Sequence, residues 1–480
     1  MLSRSTACKK KLYRYRPGSD PPIDVWTNRN RTKPTPCDPR SIEYGVRQFL
    51  AHKVVGNLAG IWLLVPELLR LGAWELVCGW TGQSPDRVGP RLALQLIHEA
   101  ARCRTGLRHR RTLNQRIFEL ANGLPFLASD MAGHELLAAR TVADSLYFQV
   151  ALGKIRRASG HFRGRLLAID PHRVRSSSKR HMRPHRHDKR ERPTKTAQTF
   201  FALDVDTGQP ICFTTGTSAR TAAAAAEELL GLAGDILNPQ AGQTLVLADS
   251  EHFTTELLDR VKTETKLDIL VPMPNRRILR AKLSALPPEV FRPRWAGYAT
   301  AKVKSTPQDS HAGPFYQYVQ RQGERPADYS FNAFLSTRDG DEVEELAGDF
   351  PQRWHVEEFF NAHQALGWNR AGTCNLNIRY GQMTMALVAP AAIDGFRKRF
   401  APPTTSWDAN HMATAYFGGL EGDVRVDGDT IIVTYYNAPD AGRLREHYEN
   451  LPVSCRPRRS TRGYHGSTGF KSTTASGRVK

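Results

Sequence analysis

Long apolar runs are missing from this sequence. The uncharged stretch over residues 54–66 falls well short of the roughly 18 to 20 residues that a bilayer-spanning helix requires, and Glu67 closes it. No transmembrane helix is expected. Cysteine is sparse: Cys8, Cys37, Cys78, Cys103, Cys212, Cys374 and Cys455 are odd in number, scattered, and never spaced as C-x-x-C. That pattern argues against a disulfide framework or a structural zinc site and fits a reducing cytosol. The opening residues carry cations but no apolar segment behind them, which is not the form of a secretory signal. A cytoplasmic protein is expected.

Cationic charge is abundant. Lys and Arg number 68 against 47 Asp and Glu, a formal net charge of +21 over 480 residues. Residues 1–37 and 455–480 each carry about +7 and residues 173–196 about +8, so the remainder is close to neutral. The ends, 1–40 and 455–480, read as basic disordered tails. Hydrophobic residues make up 40% of the chain, enough for a real core. A near-neutral body with three cationic arms suits a polyanion whose phosphates it neutralises, releasing counterions. DNA or RNA is the expected partner.

Residues 41–160 are helical in pattern and form a candidate DNA-binding region, with Ser84 and Pro85 placed to start a helix. Arg102, Arg104, Arg108, Arg110 and Arg111 either line a DNA backbone or coat a solvated helix end. Residues 161–400 change texture. LLAID is a short buried-strand run ending on Asp170, 199–215 reads as a hairpin, an Ala-rich helix follows, and a second buried run, 245–248, ends on Asp249 before another helix. This order predicts an α/β layer whose strands end on acids. Residues 268–340 look like a mainly β insertion, 342–364 turns helical again, and 401–454 reads as a C-terminal β-hairpin/α region.

On the helix over 342–364, steps of 100° bring Phe350, Arg353, Glu357 and Gln364 to one face. Asp170, Asp249 and Glu357 are therefore candidates for a shared site, since a pair of divalent ions needs hard oxygen ligands from separate elements. Blander readings stand beside this one. A strand-end Asp also serves as a helix N-cap, and Arg353 with Glu357 is also an i,i+4 ion pair. His172, His181, His185 and His187 sit among Arg and Lys, which disfavours a cation there. His252 and His355 flank the acids and either titrate or bind phosphate or, more commonly, are ordinary hydrogen-bonded histidines, and Trp295 either stacks on a base or, as a Trp among strands usually is, is core.

With LLAIDPHRV, LVLADSEHF and FPQRWHVEEFFNAHQ in view, the chain resembles the DDE transposases of bacterial insertion sequences, in the group with a β insertion before the last acid. The resemblance covers residues 45–400. It implies a ribonuclease-H-like catalytic core with catalytic, metal-holding acids at Asp170, Asp249 and Glu357. The family signature around the last acid is Tyr, Arg, Glu and Lys; here those positions read Phe350, Arg353, Glu357 and Gln364, so the ring loses its hydroxyl and the cation is lost.

The resemblance also implies two Mg²⁺, with Mn²⁺ able to substitute, hydrolysis at the ends of the element, and attack of the freed 3′-hydroxyl on target DNA. Arg353, Arg173, Arg175, Lys179, Arg180 and Lys195 are the expected DNA contacts, the basic segment leaving the sheet directly after Asp170. A homodimer on DNA, near the bacterial nucleoid, follows by analogy. Three alternatives remain open: a related nuclease that cuts without joining, a catalytically inactive DNA-binding derivative, and an RNA-binding protein that uses its basic arms alone.

Overall fold

The computed structural model describes residues 39–103, 116–126, 128, 130–176, 184, 192–368, 375–427, 430–448 and 469–474. Most of both expected basic tails, and the tip of the internal basic segment, lie outside these residues. The chain forms two compact units, one of Met1–Thr141, Ala365–Gly367 and Ala392–Lys480, the other of Val142–Gln364 and Trp368–Ala391.

The first unit opens with α1 (Pro39–Leu50), β1 (Val54–Gly56), α2 (Val65–Arg70), α3 (Ala73–Thr81), α4 (Val88–Ala101), α5 (Arg116–Ala121) and α6 (Asp130–Ala138). The second begins with α7 (Val142–Ala158), β2 (Leu166–Arg175), β3 (Thr196–Asp204), β4 (Gln209–Thr217), α8 (Ala222–Leu237), β5 (Leu245–Leu247), α9 (Thr255–Glu264) and β6 (Asp268–Pro272). It continues through α10 (Arg277–Ser284), β7 (Arg292–Trp295), β8 (Tyr298–Ser305), β9 (Phe315–Gln322), β10 (Ser330–Ser336), α11 (His355–His363) and α12 (Leu376–Arg397), whose last turns return the chain to the first unit. There α13 (Ala409–Met412), β11 (Gly422–Asp427), β12 (Thr430–Tyr435), α14 (Ala441–Tyr448) and β13 (Gly469–Thr474) complete the described elements.

The second unit is a mixed α/β layer built on a nine-stranded sheet in the order β4-β3-β2-β5-β6-β10-β9-β8-β7. Its central strands β2, β5 and β6 are parallel, and the flanking pairings are antiparallel. Parallel strands need a crossover, and α8 and α9 supply the two. Each has a threonine cap: Thr221 Oγ1 accepts from Ala224 N at 3.2 Å and Thr254 Oγ1 from Leu257 N at 3.3 Å. The apolar stripe of α8, including Leu229 and Ile236, packs over Leu167, Ile169, Val246 and Ile269 of the three parallel strands. Against α8 lies α7, and Gly153 allows the approach: a Cβ there would stand 2.7 Å from the side chain of Ile236.

The β insertion is a continuation of this sheet. β6, inside the range expected for the insertion, is a parallel core strand hydrogen-bonded to β5; β10, β9, β8 and β7 then extend the sheet beyond it over a smaller core of Leu283, Phe291, Ala299, Ala301, Val319 and Ala333. Likewise α7, grouped by its helical pattern with the N-terminal region, falls in the second unit. Ser84 and Pro85 do not start a helix. α4 begins at Val88, where Gln83 Oε1 accepts from Gly89 N at 3.0 Å and takes the place of a capping hydroxyl. The first unit carries its own sheet, β1-β11-β12-β13, in which a C-terminal segment expected to be disordered adds a parallel edge strand. No helix among the described residues is long and apolar enough to cross a membrane.

Candidate active site

Asp170 is the fifth residue of β2 and lies opposite Phe201 of β3. Phe201 packs against Phe359, Phe360 and Trp368, with ring centroids 5.6, 5.6 and 4.9 Å away, so this face of the sheet looks toward α11. The neighbouring Leu167 and Ile169 turn the other way, into the core under α8, as strand alternation requires. Ala168 of β2 pairs with Leu247 of β5. Asp170 lies two residues beyond that pair on β2, and Asp249 lies two residues beyond Leu247, just past the end of β5, where its charge acts on Asp170.

Asp249 leaves its strand as the N-cap of a short 3₁₀ turn (Ser250–His252), accepting a 2.6 Å bond from Glu251 N at Oδ1. The capping role and a role in the cluster are therefore compatible, because the carboxylate remains 32% exposed. His252, buried behind it, brings Nδ1 to 3.4 Å from Asp249 Oδ1, a close polar contact without the alignment of a hydrogen bond. Glu357 comes from α11. Arg353 precedes it on a 3₁₀ turn (Phe350–Trp354), and its guanidinium joins two acids: Nη2 lies 3.3 Å from Glu357 Oε1 and Nη1 lies 3.9 Å from Asp170 Oδ1.

The electrostatics are those of a crowded acid cluster. Burial pushes the Asp170 carboxyl up to about 7, with the charges of Asp249 and Glu357 adding to the shift and those of Arg353 and Arg173 opposing it. At Asp249 burial also acts upward, but contacts with His252 and the Glu251 amide, together with the charge of Arg353, outweigh it, and the carboxyl sits below its usual range. Adjacent acids pushed in opposite directions mark a site able to handle charge or protons. The donor set, three carboxylates carried by three elements, has the hard-oxygen chemistry that divalent ions require. Among the described residues, no group of three ligating side chains stands close enough to hold one ion in the present arrangement.

The expected DNA contacts divide. Arg173 is engaged within the protein: its Nε donates to Gln198 Oε1 at 2.9 Å and its Nη atoms pair with Glu251, Nη1 at 3.1 Å. It thereby ties β2 to the turn that follows Asp249. Arg175 is exposed at the end of β2 and Lys195 is half-buried just before β3, while Lys179 and Arg180 lie outside the described residues. The basic segment does not leave the sheet directly after Asp170. β2 runs on to Arg175, about 16 Å beyond at strand rise, and β3 returns antiparallel to it.

The four-residue face around Glu357 is only half realised. Phe350 sits on the 3₁₀ turn and packs edge-on against Phe334 of β10, centroids 4.7 Å apart, and α11 stops at His363, one residue before Gln364. Trp295 is 53% exposed rather than core, stacked on Tyr298 at 4.2 Å and 7°. His172 is half-buried against Phe360, where desolvation and then the charge of Arg379 push it down to about 4; His355 is exposed and bonded to Glu358 and Gln352. Glu251 and Gln198 are the residues that sequence reasoning missed, and His252, set aside as an ordinary histidine, contacts Asp249. Their signal was the pairing of β2 with β5 and β3, which one sequence does not display.

A mixed sheet that carries one acid on β2 and a second just past the end of its parallel neighbour β5, with a third from a helix packed against β2, defines an α/β protein with a composite acidic site. The family model described as "Transposase DDE domain" matches residues 140–389, just over half of the chain, and spans all three acids. The chain belongs to that family, the DDE-domain transposases. A solved structure described as a piggyBac transposase synaptic complex with hairpin DNA is similar at 12% identity, covering 76% of this chain and 82% of that one, with a TM-score of 0.41. A search of curated proteins found no match.

Proposed function

We propose that this protein cleaves DNA at the ends of an insertion sequence and joins the freed ends to target DNA, in a metal-dependent reaction carried by Asp170, Asp249 and Glu357 on a ribonuclease-H-like core. The observation that supports this reading best is the pairing of Arg353 with both Asp170 and Glu357, with the charges of Asp249 and Glu357 acting on Asp170, inside the segment that matches the family. Bound Mg²⁺, or Mn²⁺ in its place, would supply an activated nucleophile at neutral pH and stabilise charge on the attacking and leaving oxygens. The chain's own residues supply the rest. Asp249 is held ionised by the contacts that surround it. Burial raises the pKa of Asp170, so a cation held there would displace its proton. Arg173 and Glu251 fix the spacing of the two strand-borne acids. Arg175 and Lys195, with Lys179 and Arg180 of the same basic segment, hold backbone phosphates, and the basic ends add counterion release. A homodimer pairs two element ends, in a bacterial cytoplasm beside the nucleoid.

The test uses full-length protein with Asp170→Asn, Asp249→Asn and Glu357→Gln. Each variant is expected to lose Mg²⁺-dependent cleavage of element-end DNA while keeping salt-sensitive binding to it. Cleavage by the Asp249→Asn protein would remove the assignment. Cut but never joined products would reduce the activity to that of a nuclease.

A further inference from the structure

The guanidinium of Arg353 occupies the middle of the acid cluster. It lies within 3.9 Å of an oxygen of Asp170 and within 3.3 Å of one of Glu357, and its charge also reaches Asp249. Both contacts are longer than the 2.7 to 2.9 Å of a well-formed Arg–carboxylate fork, so it is held by position and charge rather than by a locked bidentate bond. The side chain is 19% exposed, which leaves it a route outward. One positive charge among three acids is the least that makes such a cluster tolerable, and Arg, which does not deprotonate, supplies it at every pH.

We infer that Arg353 is a placeholder cation: in the metal-free protein it stands among Asp170, Asp249 and Glu357, opposes loading of divalent ions, and withdraws to a DNA phosphate when substrate binds. This inference rests on the metal-site reading above and adds its regulation. The physical basis is competition. A guanidinium between Asp170 and Glu357 neutralises the same carboxylates that an ion needs. A phosphate that draws the guanidinium away removes the competitor. DNA and metal then bind with positive coupling, and linkage makes the effect reciprocal. Metal loading without DNA is suppressed, which limits unproductive hydrolysis.

The experiment measures Mn²⁺ affinity of the full-length protein by electron paramagnetic resonance, with and without a short duplex DNA of arbitrary sequence, for wild type, Arg353→Gln, Arg353→Lys and Asp170→Asn. Without DNA, Arg353→Gln is expected to bind Mn²⁺ on the order of tenfold more tightly than wild type, within the usual range of coupling between sites. Arg353→Lys, which keeps the charge, is expected to stay near wild type. Duplex DNA should raise wild-type affinity and leave Arg353→Gln unchanged. Equal or weaker Mn²⁺ binding by Arg353→Gln, with Asp170→Asn still abolishing binding, would overturn the placeholder role and leave Arg353 as a positioning residue. If no protein binds Mn²⁺ better than Asp170→Asn, the metal reading itself fails, and the placeholder with it.

Discussion

At the scale of single residues, Asp170 carries a measurable cost. Burial, with the charges of Asp249 and Glu357, raises its carboxyl from the ordinary 3.8 to about 7 in the fold. Between those values the folded state holds a proton that the unfolded state has lost, so the contribution of Asp170 to stability falls as pH rises through that window. Thermal unfolding of metal-free Asp170→Asn should therefore show a gain over wild type of about 1 to 3 kcal/mol at pH 8, shrinking toward pH 4. A gain that is the same at both pH values would rule out the carboxylate as its cause. The candidate acids could be picked from the sequence because two follow short apolar runs and the third sits four residues after an Arg. The partners that tune them could not. Glu251 meets Arg173 across 78 residues of chain, and only the three-dimensional pairing of β2 with β5 sets that distance.

Elements show the same division. The hairpin of β3 and β4, the capped helices α8 and α9, and strands β8, β9 and β10 follow from local patterning, since turn residues, threonine caps and period-two alternation act over a few positions. The extent of β2 and the place of β6 did not, because strand order within a sheet is a long-range property. The helix-face argument met a local limit: residues 350–354 wind as a 3₁₀ turn, so steps of 100° mislead for Phe350. It held from Arg353 to Glu357, which do meet. Helix α7 supplies a prediction at this scale. Gly153→Ala should raise helix propensity yet lower stability by about 1 to 3 kcal/mol, because the new methyl meets Ile236 at 2.7 Å. Denaturant unfolding of Gly153→Ala with Ile236→Ala should recover part of that loss; a purely additive pair would show that the two positions are not in conflict.

For the whole molecule, the distribution of charge is the decisive property. The excess sits in three segments and the rest is near neutral. DNA affinity should fall steeply with salt, and replacing Lys179, Arg180 and Lys195 by Gln should flatten the slope of log K against log salt by up to about 0.9 for each phosphate contact removed. An unchanged slope would locate the contacts elsewhere. The architecture of the first unit has a further consequence, in biogenesis. β1 near the amino end finds its partner in β11, some 370 residues later, which at about 5 to 20 residues per second leaves that strand waiting roughly 20 to 70 s on the ribosome. The sheet around the candidate site is complete before that wait ends. A message truncated after residue 391 would therefore release the acid-bearing layer whole, with the helical region still lacking the strands that close it.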